Sequence, residues 1–434
     1  MSKKRAFHTH FSSNSGFELQ CGLIQITMKM IKETQDKEEI KELLLKEARL
    51  GFDLSEKGIF YNSEEIHKLR IAKSGEISRS SGFRSGISFR LPLGNSGNGD
   101  FTRWTPYSIK VEDEKPILYD DGTQIGEITF PDAPNQVLKA ILSSGQTFSN
   151  VMGLTQHGGV NVGYSKECSL KDLGEDCLFC TINIRGENAD KYEDRYGRKD
   201  NSLLNPKIVA EAYDLARKAG VGNHFRISGG FVPERRELEY YIDVAEEIRK
   251  TYSDFYGTAI IGAPSDLSIL AKYKEAGFSR ISHNLEVWDK NLFAHICPGK
   301  DKRNGGWQHW IDSLEAAVDV FGKNNVHAQI IGGLEPKSST IEGIEYLTSK
   351  GVVAKFSKFR AQVGTPLEGY RTPTADFHWE LVDKATDIYI SRGITVLDLT
   401  SGPGSSFHGS DVLRIKTGDF EGDKLTPWKY PTLS

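Results

Sequence analysis

Sulfur and long apolar runs are both scarce in this chain. Its 434 residues include five cysteines and four methionines. No stretch approaches the roughly 20 consecutive apolar residues that cross a bilayer, and the basic start MSKKRAFHTH continues into polar residues where a signal peptide would be apolar. We therefore expect a cytoplasmic protein that does not bind a membrane. In that reducing compartment, metal binding or redox chemistry explains clustered cysteines better than a disulfide does.

An excess of charge of one sign is absent as well. The 55 lysines and arginines nearly balance the 59 aspartates and glutamates, which gives a net charge of −4. A nucleic-acid-binding protein would carry a basic stripe that displaces counterions from phosphates, so we expect no nucleic-acid partner. The length suits one large domain with an extension, or two domains.

From about Asn150 onward, β-rich runs alternate with amphipathic helical patterns. The predicted strands are 158–164, 225–228, 258–261, 280–287, 326–333, 355–363 and 394–400. The predicted helices are 205–220, 237–252, 266–277, 307–322, 340–351 and 376–393. This alternation predicts parallel strands joined by crossover helices, and six or seven such units favour a (β/α) TIM-type barrel, complete or partial. No Gly-rich dinucleotide fingerprint supports an open sheet instead.

The first 150 residues have a different character. They combine a helical pattern at 37–52 with a Gly- and Ser-rich stretch and two short strand patterns, at 108–113 and 125–130. We predict a mixed α+β N-terminal extension over 1–150 that caps the barrel, the barrel itself over 151–415, and a C-terminal tail over 416–434.

Three of the five cysteines lie in one segment, ECSLKDLGEDCLFC at 167–180. Cys168, Cys177 and Cys180 follow the first predicted barrel strand, on the face where such barrels carry their active sites. A closed structural zinc site takes four ligands, whereas a [4Fe–4S] cube held by three thiolates keeps one iron open for another molecule. A structural metal knuckle and an iron–sulfur centre both remain possible on spacing alone.

The segment Cys177-Leu178-Phe179-Cys180 resembles the cluster motif of the radical S-adenosylmethionine (SAM) superfamily. Segments at later strand ends resemble motifs of its biotin synthase branch. They are Ser228-Gly229-Gly230, His283-Asn284-Leu285-Glu286, Gln329-Ile330-Ile331-Gly332-Gly333-Leu334-Glu335, Gly364-Thr365-Pro366-Leu367 and Ser405-Ser406-Phe407-His408-Gly409. These ordered matches cover roughly residues 151–415.

The resemblance implies a fold, two cofactors and a chemistry. Cys168, Cys177 and Cys180 would hold a [4Fe–4S] cluster whose open iron binds SAM, and reductive cleavage of SAM would give a 5′-deoxyadenosyl radical that abstracts hydrogen from a small substrate. Reduced ferredoxin or flavodoxin would supply the electron. The implied SAM contacts are Phe179, Ser228, Gly229, Gly230, Asn284, Glu286, Arg303 and Ile331. For Arg303, an ordinary solvated side chain is the alternative.

Several polar residues are candidate substrate contacts. They are His157, Asn161, His224, Arg226, Lys358, Arg360 and Gln362. The last three share one face of a predicted strand by two-residue alternation, so an inward face predicts an anionic substrate and an outward face means surface charge. His8 and His10 lie in a polar terminus and are weaker metal candidates. Cys297 is expected to be a small buried residue.

The chain also departs from the family pattern. Eight residues separate the first two cysteines instead of the usual three, and Phe231 stands where the family has the Glu of its "GGE" segment. Only Cys21 and Cys297 are left over, which is too few for the second cluster of a sulfur-inserting enzyme. We therefore expect carbon-skeleton rearrangement, C–C cleavage or methylation. The alternatives are sulfur insertion of the biotin synthase type and a zinc-stabilised (β/α)-barrel hydrolase, aldolase or binding module.

Overall fold

The structure is a computed structural model. It describes residues 37–66, 69, 87–130, 135–154, 159–165, 168–180, 203–232, 234–362, 364–401 and 407–420. His8, His10, Cys21, His157, Ser405 and Ser406, which the sequence singled out, lie outside these ranges.

The N-terminal unit consists of one long helix and two small sheets. Its elements are α1 (Lys37–Lys57), β1 (Phe60–Tyr61), β2 (Ile87–Arg90), β3 (Ser96–Gly99), β4 (Tyr107–Glu112), β5 (Lys115–Asp120) and β6 (Thr123–Glu127). Strands β1, β4, β5 and β6 form one sheet in that order, and β2 pairs with β3 in an antiparallel hairpin. The helix predicted at 37–52 is confirmed and runs five residues further, and the mixed α+β character is confirmed too.

A seven-stranded sheet forms the centre of the molecule. Its strands, in both spatial and chain order, are β7 (Gly153–Leu154), β8 (Val160–Gly163), β9 (Phe225–Ser228), β10 (Gly257–Ile261), β11 (Arg280–His283), β12 (Val326–Gly332) and β13 (Val352–Lys358). Strands β8 to β13 pair in parallel, while β7 pairs antiparallel with β8. The sheet is the curled wall of a partial (β/α) barrel, as the alternating pattern predicts.

Helices connect these strands and cover the outside of the sheet. They are α2 (Asn135–Leu138), α3 (Phe148–Val151), α4 (Ser169–Asp172), α5 (Pro206–Lys218), α6 (Glu234–Arg249), α7 (Leu270–Glu275), α8 (Lys290–Ile296), α9 (Pro298–Arg303), α10 (Gly306–Phe321), α11 (Lys337–Ser349), α12 (Ala375–Ser391), α13 (Val396–Thr400) and α14 (Phe407–Lys416). None of the helices in these ranges has the length and apolar character that a membrane span needs.

Three predicted strand boundaries were wrong. The strand predicted at 280–287 ends at His283, and the one predicted at 355–363 is β13, which ends at Lys358. The last predicted strand, 394–400, is the helix α13. Thr395 caps this helix, and Asp398 forms a capping box with Thr395. These local hydrogen bonds favour a helix over the strand that the β-branched residues predict.

Helix α13 lies across the amino end of the barrel strands. Arg280 donates to the carboxylate of Asp398 at 3.3 Å, and Lys355 donates from Nζ to the carbonyl of Leu399 at 2.7 Å. The hydroxyl of Thr258 donates to the carbonyl of Ser401 at 3.0 Å. Side chains from β10, β11 and β13 therefore converge on one helix end, which closes this side of the barrel.

The N-terminal unit is joined to the flank of the barrel through an apolar cluster. Ala48 and Phe52 of α1 pack with Ala375 and Val382 of α12 and with Val412 of α14. All five side chains are at most 5% exposed. This cluster places α1 beside β13, the edge strand of the sheet.

Candidate functional site

The cysteine loop leaves the carboxyl end of β8 and carries the short helix α4. Cys168 precedes this helix, and the amide of Ser169 donates to the carbonyl of Phe231 beyond β9 at 2.7 Å. Cys177 and Cys180 lie in one turn, closed by the amide of Cys180 and the carbonyl of Cys177 at 3.0 Å. None of the three thiols is in a disulfide. The loop thus presents free sulfurs at the carboxyl end of the strands, where (β/α) barrels place their active sites.

A second segment, residues 296–303, holds this loop in place, and we call it the docking segment. The amide of Leu178 donates to the carbonyl of Ile296 at 2.9 Å, and the amide of Gly299 donates to the carbonyl of Glu175 at 2.8 Å. A Cβ on Gly299 would come within 2.4 Å of that carbonyl oxygen, so only glycine allows this approach. The backbone of the cysteine loop is therefore fixed at two points.

Arg303 belongs to the docking segment but does not face the barrel. Its Nε donates to the carboxylate of Glu175 at 2.8 Å, and its side chain is 53% exposed. The structure thus pairs Arg303 with Glu175 of the cysteine loop, and a contact of Arg303 with SAM stays a prediction.

Lys300 is the basic residue of the docking segment that is buried at the site. Its Nζ donates to Glu286 at 3.0 Å and to the carbonyl of Asn284 at 2.6 Å. Burial alone would lower the pKa of Lys300, but the carboxylate of Glu286 and the sulfurs of Cys177 and Cys297 raise it above its ordinary value. Sequence analysis missed Lys300, although a lysine in the C-P-G-K segment after the strand of Glu286 was a usable signal.

Glu286 itself has an unusual backbone. Its φ is 72°, in the left-handed region, and its amide and carbonyl still pair with β12, through Gln329 and Ile331 at 2.7 Å each. The strand β11 has therefore ended, yet Glu286 remains attached to the sheet with its side chain turned toward Lys300. Asn284 and Glu286 therefore do not lie on one face of a regular strand.

Cys177 lies in contact with a fourth thiol. A side-chain hydrogen bond to Cys297, followed by burial, raises the pKa of Cys177 well above its ordinary value, against the opposing charge of Lys300. Cys297 is fully buried, as the sequence predicts for a small apolar residue. Its contact with Cys177 is a long-range feature that the spacing of the cysteines does not reveal.

Other predicted SAM contacts lie close to this loop. Phe179 and Ile331 belong to one apolar cluster with Phe359 and Leu367, and the amide of Leu367 donates to the carbonyl of Leu178 at 3.3 Å. The structure thus brings the C-L-F-C and G-T-P-L segments and the end of β12 together. Their contact with SAM stays a prediction.

The glycine pair after β9 also has a packing reason. A Cβ on Gly229 would lie 2.5 Å from the ring of Tyr164, so the glycine lets the chain pass over this buried tyrosine. Ser228 pairs with Gly163 of β8 and precedes Gly230 at the carboxyl end of the strands. A role of these three residues in binding SAM stays a prediction.

The candidate substrate residues are divided between the two ends of the barrel. His224 lies just before β9, at the amino end, where its Nε2 is 2.9 Å from the hydroxyl of Thr258. Arg226 is buried in register with Thr258 and with Asn161 of β8. The structure therefore does not bring His224 to the cysteine loop, and contacts of Asn161 and Arg226 with a substrate stay predictions.

The remaining candidates face the N-terminal unit. Arg360 donates to Asp100 at 3.0 Å and to the hydroxyl of Ser55 at 2.7 Å. Burial, and after it the positive charge of Arg360, lowers the pKa of Lys358 to about 7. Carboxylates of the N-terminal unit act in the opposite direction. Gln362 is buried beyond the end of β13. Lys358 and Arg360 thus lie beside residues of the N-terminal unit, and contacts of these two residues and of Gln362 with a substrate stay predictions.

The donor set fits an iron–sulfur cluster in its chemistry. Three thiols on one loop match the thiolate ligands of such clusters. Within the part of the chain that the structure describes, no three side chains of His, Cys, Asp or Glu lie close enough together to hold a metal ion. Cys168, Cys177 and Cys180 are the residues that would hold the cluster, and their ligation of it stays a prediction.

Comparisons with known proteins show which enzymes the chain resembles. A family model described as the radical SAM superfamily matches residues 167–347. The bacteriochlorophyllide c C-7(1)-hydroxylase of Chlorobaculum limnaeum is 26% identical over 393 residues, which cover 85% of this chain and 96% of that protein. The biotin synthase of Bacillus subtilis (strain 168) is 24% identical over 207 residues, which cover 45% of this chain and 53% of that enzyme. The chain is similar to radical SAM enzymes, among them biotin synthase.

Two solved structures are also similar to this chain. Methylornithine synthase has 17% sequence identity and a TM-score of 0.42, with 59% of this chain and 72% of that chain covered. The FeFe-hydrogenase maturase HydG from Carboxydothermus hydrogenoformans has 15% identity and a TM-score of 0.40, with 54% and 51% covered. The family resemblance seen in the sequence is thus confirmed by the family model and the curated relatives, which favour the iron–sulfur alternative over the zinc-stabilised barrel.

Proposed function

We propose that this chain is a radical SAM enzyme that activates an unreactive carbon of a small anionic substrate, with Cys168, Cys177 and Cys180 as the ligands of a single [4Fe–4S] cluster. One observation carries the proposal. The loop that follows the carboxyl end of β8 carries three free thiols, and one of them, Cys177, lies beside the buried pair Lys300 and Glu286. When bound, the cluster supplies the electron that cleaves SAM reductively. Reduced ferredoxin or flavodoxin is the proposed electron donor.

The chain's own residues would bind and orient the two organic molecules. Glu286 and the carbonyl of Asn284 are held in place by Lys300, which gives a fixed hydrogen-bonding edge next to the cysteine loop. Phe179 and Ile331 supply an apolar wall beside it. The barrel, closed by α13 at its amino end, would keep water from a reactive radical.

The charge of the barrel interior supports an anionic substrate. Arg226, Arg280 and Lys355 are buried there, each at most 7% exposed, and Asp398 is the carboxylate that pairs with Arg280. Burial, followed by the charges of the two arginines, lowers the pKa of Lys355 well below its ordinary value, so the arginines carry the lasting positive charge. Burial is the main cause that lowers the pKa values of His224 and His327 well below the ordinary range, and the neighbouring basic side chains add to it. Both histidines are therefore neutral. An anionic group would offset part of this positive charge.

The proposed reaction leaves the carbon skeleton of the substrate intact. The relative that aligns over almost its whole length is named as a hydroxylase. Its name supports a reaction that changes one C–H bond, and it gives no support to rearrangement, C–C cleavage or methylation. Sulfur insertion is not proposed, because Cys297 lies beside Cys177 and not at a second, separate site.

The test begins with iron analysis after purification and reconstitution without oxygen. We expect about four iron and four sulfide per chain, and loss of both in Cys168→Ala, Cys177→Ala and Cys180→Ala. Ser169→Ala, on the same loop, is the matched control and should keep the cluster. One zinc without sulfide would contradict the proposal in favour of a zinc-stabilised barrel, and a second iron–sulfur centre would contradict it in favour of sulfur insertion.

The chemistry is then tested with SAM and dithionite. We expect the wild-type chain to release 5′-deoxyadenosine and Cys177→Ala to release none. Incubation with deuterated carboxylic acids from candidate metabolite pools should transfer deuterium to 5′-deoxyadenosine. Transfer from neutral compounds alone would contradict the anionic substrate class.

A further inference from the structure

The interior face of β12 carries two polar side chains to which the proposed function gives no role. Gln329 is in register with Lys355, whose Nζ donates to the carbonyl of Leu399 at the closed end of the barrel. Because in-register residues of neighbouring parallel strands point to the same side of the sheet, Gln329 faces the barrel interior. His327 and Ile331 lie two residues before and after Gln329 and share this face.

His327 has a hydrogen-bond donor that no described residue accepts. Its Nε2 lies 3.1 Å from Nη1 of Arg280, and since arginine can only donate, Nε2 is the acceptor. Burial is the main cause that lowers the pKa of His327 well below its ordinary value, and neighbouring basic side chains add to it, so the ring is neutral. A neutral ring whose Nε2 accepts carries its hydrogen on Nδ1. This Nδ1 is buried and has no partner among the described residues.

Gln329 has the second unpaired polar group on this face. The residue is 8% exposed, and its side-chain amide makes no hydrogen bond to another residue in the described part of the chain. Polar groups buried without a partner are rare, because they do not recover the cost of leaving water. His327 and Gln329 lie about 7 Å apart along the strand, so one bound molecule can reach both of them.

Charge and polarity along this face define the molecule that fits. Arg226 and Arg280 are each at most 7% exposed and are close enough for their charges to act on His327, which favours an anion at the closed end. At the other end, Ile331 joins Phe179 of the cysteine loop in an apolar cluster. Over about 13 Å of strand, the face therefore changes from a donor in a cationic setting, through an amide, to an apolar wall.

We propose that His327 and Gln329 bind the carboxylate of an aliphatic carboxylic acid, whose hydrocarbon chain passes Ile331 toward the cysteine loop. The Nδ1–H of His327 and an amide N–H of Gln329 donate to the carboxylate oxygens. This inference rests on the proposed function and names its substrate class. The substrate is an acid that is held at its charged end, and its reacting carbon lies in the hydrocarbon chain.

The test measures binding of hexanoate and of its neutral analogue hexanamide to the full chain by NMR titration. We expect the wild-type chain to bind hexanoate about tenfold more tightly, because hydrogen bonds to a charged acceptor are stronger. Gln329→Glu places a second carboxylate against the ligand and should lower hexanoate affinity by about tenfold or more, while hexanamide affinity changes less. Gln308→Glu, the same substitution at an exposed position of α10, is the matched control and should bind both probes as wild type does.

A second measurement follows His327 itself. In imidazole nitrogen NMR spectra of the histidine-labelled chain, we expect His327 in the Nδ1–H tautomer, with an Nδ1 signal that shifts on addition of hexanoate. The same addition should leave this signal unchanged in Gln329→Glu. An Nε2–H tautomer would contradict the donor that the inference assigns to His327.

Outcomes for the cluster and for the carboxylate site are separate. A wild-type chain that takes up no iron overturns the proposed function, whereas hexanoate binding that depends on Gln329 still supports the carboxylate site. Equal affinity for the two probes, no binding of hexanoate, or equal losses in Gln329→Glu and Gln308→Glu overturns this inference alone. If Gln329→Glu does not fold, Gln329→Leu takes its place, since it removes the amide without adding charge and should abolish the preference for hexanoate.

Discussion

Glu47 is a buried carboxyl group whose protonation makes the stability of the fold depend on pH. This carboxyl group is 1% exposed and accepts hydrogen bonds from the amides of Leu93 and Asn95. Burial raises the pKa of Glu47 to about 8, although these hydrogen bonds lower it; Asp411 adds to the rise. The neutral acid is therefore the form that the fold prefers at physiological pH.

The stability of the wild-type chain should fall as pH rises because of Glu47. With a folded pKa of about 8 and an ordinary value of 4.5, its contribution is complete below about pH 4.5 and is lost as pH rises through 8. In Glu47→Gln this loss disappears, so the stability of the variant relative to wild type should increase over that window by on the order of a few kcal/mol. Urea denaturation at several pH values measures it. Glu42→Gln, on the exposed side of the same helix, is the control, and equal pH dependence in all three chains would contradict the pKa of Glu47.

Lys300 and Glu286 are a second residue-scale case, because both side chains are only about one-tenth exposed. Lys300→Met leaves the carboxylate of Glu286 buried without its cation, which should cost about 3–5 kcal/mol of unfolding free energy. Lys302→Met, two residues on and 61% exposed, should cost less than about 1 kcal/mol. Addition of Glu286→Gln to Lys300→Met should restore much of the loss. Denaturant midpoints report all three, and equal losses for the two lysine variants would contradict the burial of the pair.

At the scale of elements, the strands and helices of the barrel could be predicted because their patterns are local. β9 was predicted to the residue, since FRIS is a short apolar strand between two turns. Helix α13 was missed because its segment begins with the β-branched residues Ile394, Thr395 and Val396, although Thr395 and Asp398 have the spacing of a capping box. The end of β11 was missed because the left-handed backbone of Glu286 has no signature in the sequence.

Asp398 has two structural roles in helix α13, because it takes part in the N-terminal cap and pairs with Arg280. The carboxylate accepts from the amide and hydroxyl of Thr395 at 2.9 and 2.8 Å and from Arg280 at 3.3 Å. Asp398→Ala removes the cap and leaves Arg280 buried without its anion, so we expect a loss of about 3–5 kcal/mol. Asp398→Asn keeps an acceptor for Thr395 and should lose less. Thermal and urea unfolding measure the order, and a loss in Asp398→Ala no larger than about 1 kcal/mol would mean that only the helix cap matters.

At the scale of the whole molecule, the N-terminal unit and the barrel share an apolar interface and ionic contacts. Arg360 reaches Asp100, and the amide of Ser96 donates to Asp411 of α14 at 2.7 Å. These partners are about 300 residues apart in sequence, which is why the sequence could predict a mixed extension but not where it attaches. A long separation in sequence, although a shorter one, also concealed the contact of Cys177 with Cys297.

Phe52 tests whether the two units unfold together. It is 5% exposed, and its ring lies 5.7 Å from that of Trp379 and 4.6 Å from that of His408. Phe52→Ala should cost about 3–5 kcal/mol and lower the midpoint of a single cooperative transition. Phe60→Ala, at 45% exposure, should change little. Calorimetry would show the idea to be mistaken if Phe52→Ala separated the melting curve into two transitions with one unchanged.

The closure of the amino end of the barrel by α13 affects how molecules enter and leave the enzyme. Because Asp398, Leu399 and Ser401 occupy the amino end, we expect reactants and products to enter and leave at the carboxyl end of the strands, beside the cysteine loop. Whichever molecule sits deeper has to arrive first and depart last. Steady-state kinetics with two varied reactants should then show a compulsory order of addition and not a random one.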